Sequence, residues 1–163
     1  MKRIGHAEVL GVPKRLPRLL YVEDDDDNWR VTELRLGRSY DLLRAKDDRA
    51  ACEIMSQPGK LYAILMDIEL RGSQLNGIEL TKLIRGTLTD RRLPDYARSV
   101  PLLEVPVLFV TAHGGTVYPR SDLLACGADD VLGKPINFTR MSLALTKLYV
   151  DRVLGPDRRG DDR

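Results

Sequence analysis

Leu61-Tyr62-Ala63-Ile64-Leu65-Met66-Asp67 is an apolar run that ends on a carboxylate. So short a run, continuous rather than alternating, reads as a strand buried on both faces. Two further runs share its form. Leu19-Leu20-Tyr21-Val22 ends in Glu23-Asp24-Asp25, and Val107-Leu108-Phe109-Val110 ends in Thr111. A fourth stretch, Ala128-Asp129-Asp130-Val131-Leu132-Gly133, is followed by Lys134. In a parallel sheet these strand ends lie side by side, at the crevice where open α/β folds place their sites. Carboxylates suit a hard dication, while a hydroxyl and an ammonium suit phosphate oxygens. The combination points to phosphoryl chemistry on Asp67.

Working outward, apolar runs alternate with amphipathic stretches. Strands are expected at about 18–23, 39–45, 61–67, 106–110 and 129–132. Helices are expected at 27–38 with Val31 and Leu34 inward, from Asp47-Asp48 through Cys52, Ile54 and Met55, and after Asn76-Gly77 with Leu80, Leu83 and Ile84. A poorer helix near 120–126 and a last one over 137–153, with Met141, Leu145 and Leu148 on one face, complete the pattern. Five such βα repeats imply an α/β fold, a doubly wound five-stranded parallel sheet covered by helices on both faces. The right-handed crossover rule favours the flavodoxin-like strand order 2-1-3-4-5. The segment 85–105 is long for a helix-to-strand connection and reads equally as a short helical insert or a mobile binding loop. Its Arg91, Arg92, Arg98 and Tyr96 form a candidate partner-docking patch.

The 163 residues suffice for one domain with a substantial core, expected over 18–153. It would be flanked by an irregular basic arm (1–17) and a polar tail (154–163) expected to be disordered. A composition of 43% hydrophobic and 31% charged residues is that of an ordinary globular protein, and a net charge of +2 gives no argument for a nucleic-acid partner. Neither a signal peptide nor an apolar stretch long enough to span a membrane is visible, so a cytoplasmic location is expected. Cys52 and Cys126 read as small core residues without metal-ligand spacing.

The motifs Tyr21-Val22-Glu23-Asp24-Asp25, Leu65-Met66-Asp67, Val110-Thr111-Ala112, Gly127-Ala128-Asp129-Asp130 and Gly133-Lys134-Pro135 together resemble the receiver domain of bacterial two-component response regulators. The resemblance implies that Asp67 accepts a phosphoryl group from a phosphohistidine on a sensor histidine kinase or phosphotransfer protein. It implies Mg²⁺ held by Glu23, Asp24, Asp67 and the backbone carbonyl of Glu69, with Thr111 and Lys134 on phosphoryl oxygens and a cis Lys134-Pro135 bond. Within the acidic run Glu23 to Asp27, Glu23 and Asp24 are chosen because they directly follow the strand, where the family's pair sits. The protein would then be a signalling component, not an enzyme beyond its own phosphorylation and dephosphorylation. Its downstream partner would be another, unidentified protein.

Three departures stand out. Leu70-Arg71 replaces the family's frequent Met-Pro, in a loop about two residues longer than usual. Val131 stands where a switch aromatic is common. The stretch His113 to Tyr118-Pro119 is rich in glycine and proline, so the fourth helix should be short, with His113 near the phosphoryl site. The missing aromatic leaves a second reading, a phosphorylation-independent interaction module on the same fold. A third, a phosphohydrolase of the haloacid-dehalogenase type, draws only on Glu69 two residues after Asp67 and lacks a cap or later acidic motif.

Overall fold

The computed structural model of the protein describes residues 15–155 except 58, 90, 114 and 115. Most of the basic arm and of the polar tail therefore lies outside the described residues. In chain order the elements are β1 (Arg18–Val22), α1 (Asp26–Leu36), β2 (Asp41–Ala45), α2 (Asp48–Ser56), β3 (Ala63–Asp67), α3 (Gly77–Arg85), a 3₁₀ turn (Asp95–Ala97), β4 (Val107–Thr111), α4 (Arg120–Ala125), β5 (Asp130–Gly133) and α5 (Phe138–Leu154). The strands form one parallel sheet in the order β2-β1-β3-β4-β5. This is the expected flavodoxin-like arrangement, with element ends displaced by a residue or two.

Alternation along the strands divides the core in two, because successive side chains leave a strand on opposite faces. Leu20, Val22, Ile64, Met66, Val107 and Phe109 pack with Cys52, Met55, Leu80 and Ile84 of α2 and α3. Leu19, Tyr21, Ala63, Leu65, Leu108 and Val110 pack with Leu36, Met141 and Leu145 of α1 and α5. Each fully buried Leu, Ile, Val, Met or Phe side chain contributes about 1.5–3 kcal/mol. The sheet is thus the rigid support on which the strand-end residues are carried.

The expected inward face of α1 is corrected. Val31 and Leu34 are exposed (50% and 78%), and Thr32 and Leu36 are buried instead. Asp25 caps the helix by accepting from the Asn28 N–H, which sets its rotation so that Trp29, Thr32 and Leu36 follow one i, i+3, i+7 line toward the sheet. A threonine is tolerated on that line because its Oγ1 donates to the Asn28 carbonyl (2.9 Å). Cys52 is buried as expected, whereas Cys126, at the C-terminal end of α4, is only half-buried.

The segment between α3 and β4 is a packed connection containing one 3₁₀ turn. Arg85 donates to the carbonyls of Leu103 (2.6 Å) and Val105 (2.8 Å), tying its far end back to α3. Arg91 is engaged with the Glu79 carboxylate and the Gln74 carbonyl, and the Tyr96 hydroxyl points inward to Asp48. Of the four residues read as a docking patch, Arg91 and Tyr96 therefore hold the segment down. Arg92 and Arg98 remain exposed.

Candidate functional site

The C-terminal ends of β1, β3, β4 and β5 bring Glu23, Asp24, Asp67, Thr111 and Lys134 to one edge of the sheet. Register explains how: Val22 pairs with Met66, Asp67 with Val110, and Thr111 with Gly133. The Lys134 N–H then donates to the Thr111 carbonyl (2.9 Å), continuing the ladder one residue beyond β5. The Lys134-Pro135 peptide is cis.

Lys134 Nζ lies 2.8 Å from Glu23 Oε2 and 2.9 Å from Asp67 Oδ2, bridging the two carboxylates. Glu23 is fully buried, accepting also from the Tyr21 hydroxyl (2.8 Å) and the Asp25 N–H (3.0 Å). Arg44 holds the loop behind it by donating to the carbonyls of Glu23 and Asp24. Asp67 Oδ1 has no hydrogen-bond partner among the described residues. No fully buried side-chain polar atom there is orphaned, so this oxygen faces the cleft.

Burial raises the Asp67 carboxyl to about 6, with Glu23 and Asp24 adding to the rise and Lys134 opposing it. Burial alone would lower Lys134, but its bonds to Glu23 and Asp67 outweigh that and move it upward. Burial also pushes the Tyr21 hydroxyl far up, helped by Glu23. Asp24 goes the other way: its modest burial would raise it, and Arg71 pulls it below the ordinary carboxylate value.

Ligand oxygens of Glu23, Asp24 and Asp67 all lie within 4.8 Å of one another. Three convergent carboxylates with no soft donor fit a hard dication such as Mg²⁺. The Glu69 side chain is not gathered into this group; it is 62% exposed, with its carboxylate 3.9 Å from His113 Nε2. Thr111 is buried, and its Oγ1 accepts from the His113 N–H (3.1 Å). Val131 is half-buried against the core on the α2/α3 side of the sheet.

A third buried carboxylate, Asp48, which the sequence marks only as an acid opening α2, organises the β3–α3 loop. Asp48 Oδ2 accepts from the N–H groups of Gln74 (3.1 Å) and Leu75 (2.9 Å) and from the Tyr96 hydroxyl (2.5 Å), while the Asp48 N–H donates to Ser73 Oγ (3.1 Å). The neighbouring Asp47 caps α2 by accepting from the Ala50 N–H. Only the pairing of adjacent acids hinted that one of the two does something other than cap. Beyond the loop, Gly77 is obligatory: a Cβ there would stand 2.0 Å from the Asp67 carbonyl oxygen, so α3 can start against the end of β3 only without a side chain.

A family model described as the response regulator receiver domain matches residues 19–146. The chain is 34% identical over 121 residues to YrkP of Bacillus subtilis (strain 168), described as an uncharacterized transcriptional regulatory protein; the match covers 74% of this chain and 44% of that one. Among solved structures, the receiver domain of the sensor histidine kinase PA1611 from Pseudomonas aeruginosa PAO1, with a magnesium ion in its active-site cleft, superposes with a TM-score of 0.61. Identity is 26%, over 81% of this chain and 96% of that one. A chain of the Saccharomyces cerevisiae co-crystal of the histidine phosphotransfer protein Ypd1 with the receiver domain of its downstream response regulator Ssk1 gives a TM-score of 0.64. Here identity is 25%, over 85% and 92% of the two chains. The chain spans about half the length of the first curated relatives it matches, 44% and 51%. No helix among the described residues is long and apolar enough to cross a membrane.

Proposed function

Because the chain belongs to the response regulator receiver-domain family, we propose that Asp67 accepts a phosphoryl group from a phosphohistidine on a kinase or phosphotransfer protein. The observation that carries this reading is the convergence of Glu23, Asp24 and Asp67, with Lys134 bridging two of them and one Asp67 oxygen turned to the cleft. That oxygen forms the new O–P bond as the donor's N–P bond breaks. The imidazole leaves with the electron pair and takes up a proton from solvent. Glu23, Asp24, Asp67 and the Glu69 carbonyl would hold Mg²⁺, which supplies positive charge against the transferring group's oxygens.

The chain's own residues supply the rest. Lys134 is held beside Asp67 and brings an ammonium to a second phosphoryl oxygen, and Thr111 brings a hydroxyl from the adjacent strand end. The product, an acyl phosphate, places about −1.5 to −2 of new charge at this edge. The signal then passes through a protein surface that responds to it. Two structural neighbours support the partner class: the co-crystal of a receiver domain with a histidine phosphotransfer protein, and the receiver domain of a sensor histidine kinase. Val131 is the observation that favours the phosphorylation-independent alternative, since it offers no ring to rotate.

Intact-protein mass after incubation with acetyl phosphate and Mg²⁺ tests the proposal. The expected result is a gain of one phosphoryl group that vanishes in Asp67→Asn. No gain, or a gain that persists in the variant, overturns it.

A further inference from the structure

Arg71 stands where the family's frequent proline would be, and the structure gives it a specific place. Leu70 is buried, Gly72 has a φ of +75°, and the Ser73 N–H donates to the Leu70 carbonyl (3.3 Å). This tight turn needs a positive φ at its third residue, which glycine supplies without strain. Asp48 fixes the following residues through Ser73, Gln74 and Leu75. The tip of the loop therefore has a defined position, and from it Arg71 Nε reaches Asp24 Oδ2 at 2.6 Å while the Arg71 backbone N–H reaches the same oxygen at 3.3 Å. A second guanidinium nitrogen lies 3.9 Å from Asp25 Oδ2.

We infer that Arg71 is a built-in, displaceable counterion that competes with the divalent cation for Asp24 and so weakens cation binding at the phosphoacceptor site. The inference rests on the proposed reading of that site as a metal centre. A carboxylate oxygen already accepting from a guanidinium and a backbone N–H is a poorer ligand than a free one, and a guanidinium beside a dication adds repulsion. Asp24 has only 13% of its side chain exposed, whereas Arg71 has 78%, so the arginine can swing into solvent while the carboxylate stays in place. Metal entry at this edge is thereby coupled to release of the Arg71 side chain, which a proline could not provide.

Calorimetric titration with Mg²⁺ of the full chain tests this, comparing wild type, Arg71→Ala, Arg71→Lys and Asp24→Asn. Arg71→Ala is expected to bind Mg²⁺ about two- to fivefold more tightly at low ionic strength, the range that an exposed pair supports. Arg71→Lys should fall between the two, and the gain should shrink as salt screens the pair. A merely structural role for Arg71 would not tighten binding. Unchanged or weaker binding in Arg71→Ala, with wild type binding and Asp24→Asn impaired, overturns the inference and leaves the site reading intact. If wild type does not bind, or Asp24→Asn binds as well as wild type, the site reading fails and the inference with it.

Discussion

Asp67 and Asp48 are both buried carboxylates, 6% and 3% exposed, yet their surroundings are opposite. Asp48 is saturated: its two oxygens accept from three backbone N–H groups and a tyrosine hydroxyl. Among the described residues Asp67 receives one donor, Lys134 Nζ, and that ammonium is shared with Glu23. Burial by itself does not make a carboxylate reactive. What distinguishes the two is whether fixed donors have already taken up the charge, and at Asp67 an oxygen is left for an incoming electrophile. Asp48 holds a loop in place, and Asp67 waits at the edge that loop overhangs.

The largest effect expected from this contrast is at Asp48. Asp48→Ala strands the Gln74 and Leu75 N–H groups and the Tyr96 hydroxyl, and should cost about 3 kcal/mol in urea unfolding, since each stranded buried donor costs about 1–3 kcal/mol. A loss of under about 0.5 kcal/mol, the level of an ordinary surface change, would erase the contrast.

Asp67→Asn should act in the opposite direction. Burial raises the folded-state carboxyl from 3.8 to about 6, so between those values the folded protein binds more protons than the unfolded chain. Unfolding free energy therefore falls as pH rises through that window, and above it the ionised carboxylate remains a destabilising charge. With divalent ions chelated, Asp67→Asn should gain about 2 kcal/mol at pH 7 and almost nothing near pH 4, an estimate that allows for the weakened Lys134 contact. A gain that did not depend on pH would contradict the assignment of that charge. The smallest effect belongs to Tyr96→Phe, which removes one of Asp48's four donors and should cost about 1 kcal/mol. Phosphorylation of Asp67 in that variant should be unchanged.

The same contrast explains what could be read from the chain. Asp67, Thr111 and Lys134 each follow a run of strand residues, and a parallel sheet converts that position into proximity without any knowledge of loops. The Glu23–Asp24 pair was legible for the same reason. Asp48 was not, because its role depends on Gln74, Leu75 and Tyr96, residues more than two dozen positions away that reach it only after the loops have packed. Arg71 was visible as a departure from the family pattern, but its contact with Asp24 depends on the turn at Gly72. On α1 the error was one of phase. Val31 and Leu34 are good apolar candidates, yet the Asp25 cap rotates them to solvent and places Thr32 inward. In the insert, arginine and tyrosine suggest a recognition surface, but Arg91 and Tyr96 are occupied in holding the segment to Glu79 and Asp48. Only Arg92 and Arg98 of the four stay exposed and clear of that task.

The most direct test is to trap the phosphorylated residue. After incubation with acetyl phosphate and Mg²⁺, borohydride reduction converts an aspartyl phosphate to homoserine, and peptide mass spectrometry then locates the changed position. The expected result is a single conversion at Asp67, with Asp48, Glu23 and Asp24 untouched. Conversion at another carboxylate, or none under conditions that label an established receiver domain, would contradict the account.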